Sequence, residues 1–321
     1  MACFPVAPRF AKMLIIGQQH GCLPYVIALV ASLSVGDPFI KEQFLEAGDI
    51  SEGEDADGSI ATAQAEVKTL KRTDLVEKAK RRITRKQFFT VQSQLAGESP
   101  VSDALKVLAA VGAYEYAGGS ESFCEKHFLR SKAMLEIRKL RRQLTEIVQV
   151  NCPGVQVSLD PRMAPPSALQ RKLLCQILMA GFIDQVAMRK DLVDSSVRFS
   201  KRSPAAYTTM WSTDDVYIHP TSVVYAARPA PEMVVYGELT RTTKVWLTGV
   251  TIVERNWAPM IGKALCSFGK PLTSPAPQYN ETKDVATVYI VPSFGPKSWS
   301  LPAVKAQQRR VGTRWQFERV L

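Results

Sequence analysis

The chain is predicted to be an α + β multidomain protein, with a helical bundle followed by a small antiparallel β barrel and a short β-containing tail. Three observations lead there. Between Phe10 and Arg189 apolar residues recur at helical spacing. From Asp215 to Trp257 they fall instead into short runs of valine, threonine and aromatic residues, the types that fit a pleated, half-buried surface. A length of 321 residues favours two domains, or one with appendages. The expected bounds are 1–190 for the helical part, 191–262 for the barrel and 263–321 for the tail.

The helical part opens with apolar stretches from Phe10 to Ile16 and from Leu23 to Val35. Pro24 suits the first turn of the second helix, and Gly36-Asp37-Pro38 stops it. That run is well short of the ~20 residues a bilayer span needs, so it reads as a buried helix and no membrane is expected. Glu46 to Gly58 holds six acids and no base, a self-repelling stretch expected to be a flexible insertion. The insertion as a whole is placed near 46–97. Within it, Lys68 to Lys86 reverses sign with nine basic residues against Asp74 and Glu77, which reads as a solvated helix or as an arm for RNA.

Asp103 to Tyr116 is predicted helical, with Ser102 as its cap. Phe123 to Val150 is the strongest helical pattern, since Leu129, Ala133, Ile137, Leu140, Leu144 and Ile147 line one stripe. Arg138, Arg141 and Arg142 cluster beside it, as a ridge for phosphates or a solvated basic face. Asn151 to Pro166 is loop-like. Leu169 to Arg189 is read as another helix, with Gly181 a point for close crossing. In the β region His219-Pro220 should bend or end a strand. Met233 to Leu239 and Lys244 to Val253 should form a hairpin whose tip, Thr240 to Thr243, is polar and cationic. Val285 to Val291 is one more strand, and the end is basic, with Arg309, Arg310, Arg314 and Arg319.

Composition narrows the function. Lysine and arginine number 41 against 30 acids, a formal charge of +11, which points to an anionic partner, nucleic acid first. The six cysteines are scattered, and read as reduced thiols of an intracellular protein. Neither His20 with Cys22 nor Cys124 with His127 has a second pair at zinc spacing, so no metal is expected. Gly262-Lys263 and Gly269-Lys270 lack the rest of a phosphate-cradling loop. Asp214 and Asp215 are adjacent and would face opposite ways on a strand, which suits a turn better than acid–base work.

IHPTSVVY and VVYGELTRTTK, within Val216 to Lys244, resemble the C-terminal OB-fold of DEAH-box RNA helicases. FPVAPRFAKMLIIGQQHGC and YVIALVASLSVGDPF are similar to the start of that family's helical helicase-associated, or ratchet, domain. FCEKHFLRSKAMLEIRKLRRQL, NCPGVQVSLDPRMAPPS and GKPLTSPAPQY are similar to its nucleolar branch, which serves the small-subunit processome. The resemblance implies an RNA-gripping module with no cofactor of its own, ATP and Mg being held by motor domains that this chain lacks. It implies as partners single-stranded RNA (pre-rRNA or snoRNA), those motor domains and processome proteins, and a nucleolar location. On that reading the RNA contacts are Arg241, Thr242, Thr243 and Lys244 at the hairpin tip, His219, Thr221 and Ser222 at the bend, and Arg138, Arg141 and Arg142 on the ratchet. The competing reading is a protein-interaction scaffold that docks on processome factors. The chain alone is expected to hydrolyse no ATP.

Overall fold

The structure is a computed structural model that describes residues 6–41, 72–152, 154–198, 204–282, 284–312 and 314–321, with 72–78 described as backbone only. The acidic stretch 46–58 lies outside the described residues. Seven helices come first: α1 Pro8–Gln19, α2 Leu23–Val35, α3 Arg72–Ala96, α4 Asp103–Tyr116, α5 Glu121–Lys126, α6 Ser131–Asn151 and α7 Ala168–Gly181. Prolines in the first turns of α1 and α2 cost no hydrogen bond there. A helix that is apolar all round must be covered all round. Accordingly, every residue of α2 from Leu23 to Ser32 except Pro24 is buried, with α1, α4 and α6 packed against it. Two glycines let α1 approach its neighbours. A Cβ on Gly17 would lie 2.7 Å from Val26 Cγ2, and one on Gly181 would lie 2.6 Å from Met13 Sδ.

Three helical expectations change. Phe123 to Val150 is two helices, because residues 38–40 compete for the backbone between them. The Ile40 N–H donates to Phe128 O at 2.9 Å and the Arg130 N–H to Pro38 O at 2.8 Å, while Phe128 turns to φ +55°. The helix expected over Leu169 to Arg189 stops at Gly181, and Val186–Arg189 form a strand buried along its whole length. A short apolar run without alternation fits either element, and sheet pairing decides it here. The insertion is also not mobile throughout, since its second half is α3. Phe88 is buried there and meets Phe128 edge-to-face at 5.4 Å, and Lys106 Nζ donates to Gln92 Oε1 at 2.9 Å.

The middle domain is a seven-stranded sheet of β1 Val186–Arg189, β2 Tyr207–Thr209, β3 Val216–Ile218, β4 Met233–Val235, β5 Glu238–Arg241, β6 Val245–Thr248 and β7 Thr251–Val253, in the order β5-β6-β3-β2-β1-β4-β7. All pairs are antiparallel except β3 with β6. The expected hairpin exists but bends in the middle, so that β4 pairs with β7 and β5 with β6 at opposite edges of one curled sheet. The bend falls at Gly237 and Gly249. Gly249 has φ +62°, and a Cβ on it would come within 3.4 Å of Gly237 N, so glycine serves both the turn and the close approach. Tyr207, Val216, Val234, Leu247 and Val250 fill the interior.

The tail is larger than one strand. After the short helix α8 Ala258–Ile261 come β8 Cys266–Phe268, β9 Gln278–Asn280, β10 Val285–Ile290, β11 Pro292–Phe294, β12 Trp299–Ser300, β13 Val304–Val311 and β14 Arg314–Val320. They form a four-stranded sheet β14-β13-β10-β9 and a three-stranded sheet β12-β11-β8. Phe294 and Trp299 join the core that contains the helices. Lys297 Nζ donates to Thr208 Oγ1 at 3.1 Å and Thr209 O at 2.8 Å, latching the tail to β2.

One carboxylate ties the helices to the seven-stranded sheet. Asp103, in the first turn of α4, accepts from the Val223 N–H at 2.9 Å through Oδ1 and from the Val250 N–H at 2.8 Å through Oδ2. Its own N–H donates to Val250 O at 2.9 Å. Beside it Ser102 Oγ lies 2.7 Å from Thr251 Oγ1. Asp103→Ala leaves both amides unpaired and is expected to destabilise the chain by about 1–3 kcal/mol, read by chemical denaturation. Wild-type stability would mean that water replaces the carboxylate at no cost.

Candidate nucleic-acid interface

Strands β3 and β6 lie side by side in parallel register, with Val216 opposite Val245, Tyr217 opposite Trp246 and Ile218 opposite Leu247. Side chains alternate between faces. Val216, Ile218 and Leu247 are buried inward, which leaves Tyr217, Trp246 and the following His219 half-buried on the outer face. Their rings form a strip, with Tyr217 and Trp246 centroids 6.1 Å apart and His219 edge-on to Trp246 at 5.6 Å. Lys244 sets its ammonium 4.7 Å from the Tyr217 ring centre, a cation–π contact.

The hairpin tip frames this strip. The Thr242 N–H donates to Lys244 O at 2.9 Å and closes the turn. Thr242 Oγ1 accepts from Trp246 Nε1 at 3.1 Å and fixes the indole. Thr243 and Lys244 are exposed. Arg241 is also exposed, but its Nη2 lies 2.5 Å from Asp214 Oδ2. The next residue, Asp215, holds Lys190 at 2.6 Å. The adjacent carboxylates thus each restrain one cation at the rim.

At the bend, His219 Nδ1 accepts from the Thr221 N–H at 3.2 Å and lies 2.7 Å from Thr221 Oγ1. This hydrogen bonding assigns the proton of the neutral ring to Nε2. Thr221 is exposed. Ser222 is buried; its Oγ accepts from the Val224 N–H at 3.2 Å and its hydroxyl donates to Asp103. It therefore supports the bend from within.

The ratchet arginines are placed elsewhere. Arg141 is 6% exposed, with Nη1 3.1 Å from Glu115, and Arg138 lies 2.7 Å from the same carboxylate with its guanidinium 5.0 Å over Tyr114. These two tie α6 to α4. Arg142 is exposed on α6. Sequence reading missed Tyr217, Trp246 and Lys190. The first two carry a signal, because V-Y-I-H and V-W-L-T alternate with period two.

The face thus sets aromatic rings beside cations and hydroxyls, the side-chain types that single-stranded nucleic-acid platforms combine. Among the described residues no cluster of His, Cys, Asp or Glu could hold a metal ion, and no helix is long and apolar enough to cross a membrane. A helical block is thus fused to a sheet that carries one aromatic and cationic face. The family model for the helicase-associated domain (HA2), ratchet-like, matches residues 7–107, and that for the oligonucleotide/oligosaccharide-binding (OB)-fold matches residues 174–265. The chain carries the helicase-associated and OB-fold domains, and its homologues over 93–98% of its length are DEAH-box RNA helicases. It is 38% identical to human "Probable ATP-dependent RNA helicase DHX37" over 305 residues, or 95% of this chain and 24% of the relative. With Drosophila melanogaster "Probable ATP-dependent RNA helicase kurz" the identity is 33% over 93% of this chain and 23% of the relative. With Saccharomyces cerevisiae "Probable ATP-dependent RNA helicase DHR1" it is 31% over 98% of this chain and 27% of the relative. The chain spans about a quarter of the length of these curated relatives.

Burial lowers the pKa of His219 from its ordinary value, against an opposing pull from the Asp103 charge. Because the folded value lies below the unfolded one, the stabilisation it brings is complete above about pH 6.5 and lost as pH falls through the folded value. In an NMR titration the His219 ring is expected to protonate below pH ~6.5. A midpoint above that value would mean that Asp103 dominates the site.

Proposed function

We propose that this chain is the RNA-binding module of an ATP-dependent DEAH-box RNA helicase, which holds single-stranded pre-ribosomal or small nucleolar RNA during small-subunit assembly in the nucleolus. The observation that carries the RNA-binding reading is the outer face of β3 and β6, where Tyr217, His219 and Trp246 form a strip beside Lys244 and Arg241. The names of the relatives support a helicase. The nucleolar and ribosomal part rests on the resemblance of Phe123–Leu144, 151–167 and Gly269–Tyr279 to that branch. On this reading bases stack on Trp246 and Tyr217, and Lys244 and Arg241 meet the phosphates. Arg241 exchanges the Asp214 carboxylate for a phosphate oxygen as it does so. ATP chemistry belongs to motor domains that act with the module.

The test is the salt dependence of binding to a single-stranded RNA oligonucleotide. Arg241→Ala with Lys244→Ala should weaken binding and flatten the slope of log affinity against log salt by about 0.7 for each lost phosphate contact. Both side chains are exposed, so the fold should change by no more than about 0.5 kcal/mol. Asp214→Asn frees Arg241 and should tighten binding. Unchanged RNA affinity and slope in the folded double variant would move RNA off this face and favour the protein-docking reading.

A further inference from the structure

The four-stranded tail sheet has one face that is only half covered. Along β10 and β13, Ala286, Val288, Ile290 and Ala306 are buried on it, and Phe317 of β14 stacks on Phe268 at 3.8 Å. Beyond Phe317 the cover ends. Strand alternation carries the same face on from Gln308 to Arg310 and from Phe317 to Trp315, and Arg310 is the cross-strand partner of Trp315. Tyr279 of β9, paired with Ala286, belongs to this face as well.

Two aromatic rings lie open there. Tyr279 is 49% and Trp315 43% exposed, and they meet edge-to-face at 5.7 Å although their strands are the two outer strands of the sheet. Strand spacing alone would put those edges ~14 Å apart, so the rings arch over the face between them. A pair held in this way exposes ring surface without collapsing into a core.

Charge selects the occupant. Residues 263–321 hold nine Lys or Arg against three Asp or Glu, a net +6 and more than half of the chain's +11 in under a fifth of its length. Two of the three acids are engaged. Glu318 pairs with Arg309 at 3.0 Å, and Asp284 accepts from the Tyr279 hydroxyl at 2.8 Å. Arg310, opposite Trp315 and on the same face, is exposed. An open aromatic pair flanked by an arginine, on a strongly cationic tail, suits a polyanion with flat, stackable groups.

We infer that the Tyr279–Trp315 end of the tail sheet is a second contact for single-stranded RNA, where a base stacks on the open ring surface and Arg310 holds a flanking phosphate. This extends the RNA-binding reading to a surface separate from the hairpin. The experiment measures affinity of the whole chain for a 20-nucleotide single-stranded RNA across salt concentrations. Trp315→Ala is expected to weaken binding at least about fivefold, the low end for loss of one stacked base, and Trp315→Phe to restore most of it. Arg310→Ala should flatten the salt slope by about 0.7, one phosphate contact. Native melting of both variants keeps the result free of misfolding. If the parent binds RNA and both folded variants bind as it does, the tail contact is overturned and the hairpin face stands. If the parent binds no RNA, both readings fall. Variants that lose a protein partner but keep parental RNA affinity would assign this face to protein and overturn the inference.

Discussion

At the junction between helices and sheet, one buried carboxylate holds two backbone amides of the sheet domain. Asp103 spans two segments distant in sequence, with one oxygen on the amide that follows the His219–Ser222 bend and the other on the amide at the hairpin's kink. Its position in the first turn of α4 adds the positive end of a helix dipole. Burial raises its pKa, and the Lys106 charge, the two amides and the Ser222 hydroxyl all oppose that rise. The bend and the hairpin form the stacking face, so the same anchor that joins the domains also sets the geometry of that face.

Much of this was legible in the sequence. The helices from Pro8 to Val35, the Ser102 cap, the close crossing at Gly181 and the Thr240–Lys244 hairpin all follow from local pattern, because each is decided by residues within a few positions. The remainder was hidden for physical reasons. The break before α6 depends on residues 38–40, far upstream, and β1 becomes a strand only because β2 and β4 flank it. Arg138 and Arg141 look like a phosphate ridge on a single helix. Their partner, Glu115, sits on another. Tyr217 and Trp246 lie 29 positions apart in sequence, and only the parallel pairing of β3 with β6 brings the two rings together.

The electrostatics of the rim are those of a surface already in partial balance. Asp214 and Asp215 hold Arg241 and Lys190 in exposed pairs, and exposed pairs contribute roughly 0–1 kcal/mol each. Exchanging such a partner for another anion therefore costs little. The ion pairs set side-chain direction more than they set stability, and the cations are presented already ordered.

The bent hairpin also settles what can pair with the sheet. Its two halves are the outermost strands, so the domain has two open ladders by construction. One is filled from within the chain. The Ile252 N–H donates to Val101 O at 2.8 Å, and Ser102 bridges Thr251, so the stretch leading into α4 lies along β7 as a short extra strand. The other ladder, along β5, ends at the hairpin tip with all four side chains exposed and Glu238 and Arg241 at its ends. Charged residues at both ends and short length are the usual guards of an edge. Backbone pairing by another chain is therefore closed at β7 and discouraged at β5, leaving the side chains of the sheet's face as its means of recognition.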